Sequence, residues 1–247
     1  MDDSTLVRQT RCPICANEGR DRSGNNLAVY SDGHSYCYGG HGIISGGDKV
    51  YQFKHRDTPV LVHDAVVLPP DCDTEYPQRT LDWVGQYELT RNDLLSHGVL
   101  WSEYNQRLIF PVVDSEQGVI AWQGRWFGEG DKVKWFGRGN LKDTFNLLGK
   151  GDKLILTEDV VSAIKVSNCG VIAMPLYGCF VGISRLTILR KSYGYDYKVQ
   201  IWLDPDKRKE AVREARRGQF TGLDSTPIFS SKDPKEHSYA EIKEILE

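Results

Sequence analysis

Apolar residues recur with regular periods from about residue 81 to the end of the chain, whereas the first eighty positions show little of this order. Two short helices are read at 81–87 and 91–97, the second capped by Thr90. Strands follow at 107–113, 119–127 and 133–136, separated by turn-forming stretches at 114–118 and 128–131. Beyond the glycines at 149 and 151 the period alternates. Strands at 153–157, 171–174, 199–203 and 227–229 are interleaved with helices at 159–166, 182–191, 206–217 and 238–246. Strands alternating with helices predict a parallel sheet with helical crossovers.

The N-terminal part reads differently. Residues 11–47 are rich in Gly, Asp, Asn, Ser and Cys, with strand-like pieces only at 27–31 and 34–38. Such a segment buries too little apolar surface to fold without a staple. Residues 46–80 carry Pro59, Pro69, Pro70 and Pro77 and read as a linker, with one short strand at 60–62 or 65–68. The division expected is therefore a small domain at 1–48, a linker at 49–80, and two globular parts at 81–150 and 151–247.

Composition narrows the class. Hydrophobic residues make up 40% and charged residues 26% of the 247, near the norm for folded proteins, so wholesale disorder is not expected. The start, Met1-Asp2-Asp3-Ser4, is acidic and polar, and no run approaches the roughly 18 apolar residues of a membrane span. A cytoplasmic protein without a membrane partner is expected. The net charge of −3 argues against coating nucleic acid by bulk electrostatics, while leaving room for local basic patches.

Six cysteines fall into two groups. Cys72, Cys169 and Cys179 lie scattered in apolar context, as buried free thiols do. Cys12-Pro-Ile-Cys15 has the spacing with which one tight turn fills two corners of a tetrahedral zinc site, and Cys37 can fill a third. Gly40 stands where a second C-x2-C pair would close, which leaves His41 and His34 as competing fourth ligands. A structural zinc contributes on the order of 10–16 kcal/mol in modules of this size. The stretch 27–38, with Ser31-Asp32-Gly33-His34 ahead of Cys37, resembles the zinc-binding domain of podophage primase–helicases. That resemblance implies that Asp32 and His34 read the template where priming starts. It thereby favours His41 as the zinc ligand, in place of the family's fourth cysteine.

Carboxylates supply the other chemistry. The apolar run 153–157 ends in Glu158, and the run 199–203 ends in Asp204-Pro205-Asp206. Carboxyl ends of parallel strands line the ligand crevice of an open sheet, so three acids are aimed at one edge. They repel one another unless a divalent cation neutralises them. Any one alone could be a helix-start acid or a solvated turn. Together they resemble the topoisomerase–primase (TOPRIM) fold, with Glu158 as its strand-terminal Glu and Asp204 and Asp206 as its Asp-x-Asp. Asp159 stands where that family often has Gly and could join the metal shell. Ser231-Lys232-Asp233-Pro234 resembles a later primase element and adds Asp233 as a further magnesium ligand. Upstream, 107–114 and Gly124-Arg125-Trp126 look like the primase subdomain that precedes TOPRIM. This implies template and nucleotide contacts from Arg107 and Arg125, then Lys132, Lys134 and Arg138. Trp122, Trp126 and Trp135 are interleaved with these cations, as in a nucleic-acid groove or simply a core.

The resemblance spans nearly the whole chain. It implies an α/β protein with a small β zinc ribbon linked to a primase RNA polymerase domain built on a TOPRIM parallel-sheet core. The implied activity is that of a DNA-dependent RNA primase in phage DNA replication, with Glu158, Asp204 and Asp206 catalytic and Mg²⁺ or Mn²⁺ as cofactor. Implied partners are single-stranded DNA template, ribonucleoside triphosphates, a phage DNA polymerase and a separate replicative helicase in the bacterial host. The helicase is expected to be separate because no Walker-type glycine loop is present and the chain ends where such a domain would begin. A TOPRIM nuclease, or a catalytically silent helicase accessory, would share parts of this pattern.

Overall fold

The computed structural model describes residues 5–17, 24–31, 33, 35–38, 42–45, 66–114, 118–193 and 198–247. Asp32, His34, His41, the expected strand at 60–62 and most of the expected linker lie outside the described residues. The chain divides into two compact units, 1–58 and 59–247. No helix among the described residues is long and apolar enough to cross a membrane.

The first unit is an antiparallel sheet of β1 (Leu6–Thr10), β2 (Leu27–Tyr30), β3 (Ser35–Cys37) and β4 (Gly42–Ser45), in that order, with a single turn of helix, α1 (Pro13–Asn17). β1 carries no legible period because Leu6, Val7, Arg8 and Gln9 are all exposed; pairing with β2 makes it a strand. Among the described residues its core is Cys12, Cys15, Leu27 and Cys37, with Val29 packed against them. Three of those four buried side chains are thiols.

The second unit holds two sheets. The antiparallel one runs β5 (Cys72–Asp73), β6 (Leu100–Ser102), β7 (Arg107–Asp114), β8 (Gly118–Trp126) and β9 (Trp135–Gly139). Helices α2 (Gln78–Gly85) and α3 (Arg91–Ser96) accompany it, the latter held by a reciprocal cap between Thr90 and Asp93. The parallel sheet contains β10 (Lys153–Thr157), β11 (Ile172–Pro175), β12 (Lys198–Trp202) and β13 (Ser225–Pro227), in the order β11-β10-β12-β13. Helices α4 (Val160–Ser167), α5 (Ile183–Tyr193) and α6 (Arg208–Phe220) connect its strands, and α7 (Tyr239–Leu246) follows.

β10 is buried on both faces, as a central parallel strand must be. Leu154 and Leu156 pack with Leu186 and Leu189 of α5 and with Ala211 and Ala215 of α6. Ile155 packs the other way, with Ala163 and Val166 of α4 and Ile242 of α7. All eight residues of α4 are buried, because its opposite side (Val160, Val161, Ile164) meets Leu108 and Phe110 of β7. The parts 81–150 and 151–247 thus share one core across α4 and form a single unit.

The remaining departures from the sequence reading have local causes. Residues 66–80 belong to the second unit: Val66 N–H donates to the Val119 carbonyl, and Asp71 accepts from Ser102 Oγ (2.9 Å) and Tyr104 N (2.7 Å). β9 begins at Trp135, not at 133, and the Arg107 guanidinium holds the carbonyls of Val133 and Lys134. β13 lies two residues earlier than expected, with Ser225 buried and donating to the Ala215 carbonyl at 2.6 Å.

Candidate active site

Strand register brings the acids together. Thr157 at the end of β10 pairs with Trp202 at the end of β12, so Glu158 and the Leu203-Asp204 step leave the sheet side by side. Glu158 and Asp204 line one cavity of about 480 Å³, together with Asp159, Asp233 and Lys235. Trp83 of α2, Arg125 of β8 and Lys134 and Trp135 line the same cavity. One oxygen of Glu158 and one of Asp204 are buried without a hydrogen-bond partner, a costly state for an ionised acid. Burial raises the Glu158 carboxyl above its ordinary range, and Asp159 and Asp206 add to this against the pull of Lys207. Burial likewise pushes Asp204 up to about 7, opposed by Lys235 and reinforced by Asp233, Glu158 and Asp159. Two partner-less carboxylate oxygens on adjacent strand ends form a donor set suited to a hard divalent cation.

The other acids are already engaged. Asp159 caps α4, accepting from Val161 N (2.9 Å), Ser162 N (3.0 Å) and Ser162 Oγ (2.9 Å). Lys235 reaches Asp159 at 2.9 Å and Asp233 at 2.8 Å, so Asp233, which lines the same cavity, is already paired with an ammonium. Asp206 is exposed and paired with Lys207; it does not line the cavity, though it lies close enough to act on Glu158.

The expected cations separate in the same way. Arg107 is buried and spends its guanidinium on the backbone carbonyls of Gly124 (2.9 Å), Val133 (2.8 Å) and Lys134 (3.4 Å), which makes it a fastener of its own sheet. Arg125 faces the cavity in an aromatic cage, its Cζ lying 5.2 Å from the Trp83 ring, 5.3 Å from Phe127 and 5.7 Å from Trp135. Lys134 lines the cavity; Lys132 is exposed outside it, and Arg138 lies over Phe136. Of the three tryptophans, Trp135 lines the cavity and Trp122 is buried.

Several cavity residues went unread in the sequence, Trp83, Tyr87, Gln123, Tyr177 and Lys235 among them. Lys235 had a visible signal, sitting two positions after Asp233. Gln123 had none; its Oε1 is buried without a partner. Tyr177 follows β11 at φ 56°, in a region unusual for a bulky side chain, and its hydroxyl accepts from Asn146 Nδ2 at 2.8 Å.

Lys235 is the cation already built into this cluster. Burial pulls it down, but Asp159 and Asp233 more than offset that and hold the ammonium well above its ordinary range. Lys235→Met should cost roughly 2–3 kcal/mol, less than a fully buried pair because both acids keep some solvent contact. Urea unfolding in magnesium-free buffer measures it, and millimolar Mg²⁺ should restore part of the loss.

In the first unit the Sγ atoms of Cys12, Cys15 and Cys37 lie within 4.8 Å of one another, all buried, with Cys15 and Cys37 at 3.4 Å. Burial, then the neighbouring thiols, push Cys15 up to about 11, so three clustered thiols await a soft cation that would hold them as thiolates.

No family model matches the sequence and no curated protein matches it. Solved structures do. The zinc-binding and RNA polymerase domains of Aquifex aeolicus primase share the fold with a TM-score of 0.55 at 15% identity, over 70% of this chain and 56% of that one. The primase fragment of the bacteriophage T7 primase-helicase protein has a TM-score of 0.51 at 14% identity, over 98% of both chains. The RNA polymerase domain of Mycobacterium tuberculosis primase DnaG, in complex with double-stranded DNA, has a TM-score of 0.55 at 13% identity, over 70% of this chain and 74% of that one. The chain spans just over half the length of the Aquifex protein and nearly all of the T7 fragment. Its α/β fold is that of primase zinc-binding and RNA polymerase domains.

Proposed function

We propose that this chain synthesises short RNA primers on single-stranded DNA during phage DNA replication. The observation that carries the reading is the convergence of Glu158 and Asp204, each with a buried unpartnered oxygen, in a cavity walled by Arg125 and Lys134. Glu158 and Asp204 hold Mg²⁺ or Mn²⁺, and Asp206 joins them by leaving Lys207. Asp233 stays with Lys235. A divalent ion held by these carboxylates would supply the charge that lowers the pKa of an attacking 3′-hydroxyl and offsets the charge on a departing pyrophosphate. Arg125 and Lys134, lining the same cavity, meet the triphosphate, with Trp83 and Trp135 beside them. In the first unit Cys12, Cys15, Cys37 and His41 hold one structural zinc, and Asp32 and His34 read the start site. The net charge of −3 makes template affinity weak, to be strengthened by a helicase and a DNA polymerase.

One assay tests the reading. Single-stranded templates are incubated with labelled ribonucleotides and Mg²⁺ or Mn²⁺. Short RNA products are expected. A shortened template would point to a nuclease, and neither product to an accessory protein.

A further inference from the structure

α6 carries a surface that primer synthesis in the cavity does not use. Lys209, Arg213, Arg216 and Arg217 fall at intervals of four, three and one, which places them along one side of the helix, with Phe220 at its end. With Val212 they border a hollow of about 410 Å³, on a chain whose net charge is −3. Phe220 is 84% exposed and Phe180, on the loop after β11, is 52% exposed. The Arg217 guanidinium lies over Phe180 at 4.3 Å. The arrangement is built, not incidental. Glu214 is fully buried and holds Arg213 at 2.9 Å, Arg217 at 2.8 Å and the Val181 N–H at 3.1 Å, so one carboxylate fixes both guanidinium groups and the Phe180 loop. Lys209 and Arg216 have no carboxylate partner among the described residues.

The geometry points to this side of α6 as a track for single-stranded nucleic acid outside the catalytic cavity. Two observations favour a polynucleotide. The four cations lie along one side of the helix between 209 and 217, a rise of roughly 12 Å, as a row of successive phosphates requires. Two exposed aromatic rings lie among them, and every base has a face to stack on such rings. The assignment rests on the primase reading for single-stranded DNA as the polymer bound.

The test is anisotropy titration of a labelled oligothymidylate of about twenty nucleotides with the full chain, at several salt concentrations. Lys209→Gln combined with Arg216→Gln should weaken binding about ten-fold. It should also lower the slope of log affinity against log salt by about 1.4, two phosphates at roughly 0.7 each. Phe220→Ala should weaken binding several-fold and leave that slope unchanged. All three side chains are exposed, and circular dichroism checks the fold. Unchanged affinity and slope in the double variant would overturn the inference. So would loss of poly-glutamate binding in that variant with oligonucleotide binding intact, since that would assign the face to an acidic protein. A wild-type chain that makes primers while its variant binds normally keeps the primase reading and loses the track. A chain that makes no primers, yet loses binding on substitution, does the reverse.

Discussion

Asp204→Asn should abolish primer synthesis and, in magnesium-free buffer near neutral pH, raise the melting temperature of the second unit. Both effects come from one carboxylate. Its Oδ1 is buried without a partner and its pKa is pushed up to about 7, first by burial. The folded protein therefore prefers Asp204 protonated over a range where the unfolded chain has it ionised. Because the unfolded state binds fewer protons there, stability falls as pH rises from the ordinary aspartate value toward about 7, then levels off. Asparagine carries no charge and escapes that fall. The variant's advantage should be absent near pH 4 and full above pH 7, a shift of a few degrees, since about 1 kcal/mol moves a unit of this size by roughly 2–4 °C. Calorimetry at several pH values reads it. Primer synthesis should drop by about three orders of magnitude or more, because a site that has lost its metal-binding oxygen loses several kcal/mol of charge stabilisation. A corollary concerns the wild type: Mg²⁺ must displace the Asp204 proton below about pH 7, so its affinity should rise up to ten-fold per pH unit there. An Asn variant that still makes primers, or one less stable than the wild type at pH 7, would remove Asp204 from the site proposed for the ion.

Much of the second unit was legible because its signals are local. The run 153–157 is short, apolar and bounded by glycine and an acid, and it is β10 without change of boundary. Its neighbours follow from alternation, and once strands β10 and β12 are parallel neighbours, Glu158 and Asp204 must leave the same edge. What the sequence hides is the direction in which each polar group turns. Arg107 and Arg125 read alike, yet one closes on three carbonyls and the other stands among aromatic rings. The difference depends on where the chain from 131 to 135 returns beside β8, a long-range fact. Asp206 and Asp233 read as ligands with Asp204, but each has a lysine one or two positions away that claims it first. β1 was invisible because an exposed strand with no buried face leaves no period.

Removing metal from the first unit should unfold it while the second unit keeps its own melting transition. Among the described residues of the first unit, the buried apolar side chains other than cysteine are Leu27 and Ala28. Burying a leucine contributes about 1.5–3 kcal/mol and an alanine less, far short of the conformational entropy of ordering four strands. Three thiols within 4.8 Å replace the missing core only as thiolates on a shared cation, which contributes on the order of 10–16 kcal/mol near neutral pH. The second unit contains its own clusters around β7, β10 and β12, and Cys12, Cys15 and Cys37 contribute to none of them. Cys37→Ser should therefore purify without the one zinc per chain expected of the wild type and lose the far-ultraviolet signal of the N-terminal sheet. The calorimetric transition of the second unit should be unmoved. The same metal analysis decides the fourth ligand: His41→Ala should lose zinc as Cys37→Ser does, whereas His34→Ala should keep it and lose only the choice of start site. The zinc assignment fails if the wild type holds no metal and still shows a cooperative N-terminal transition.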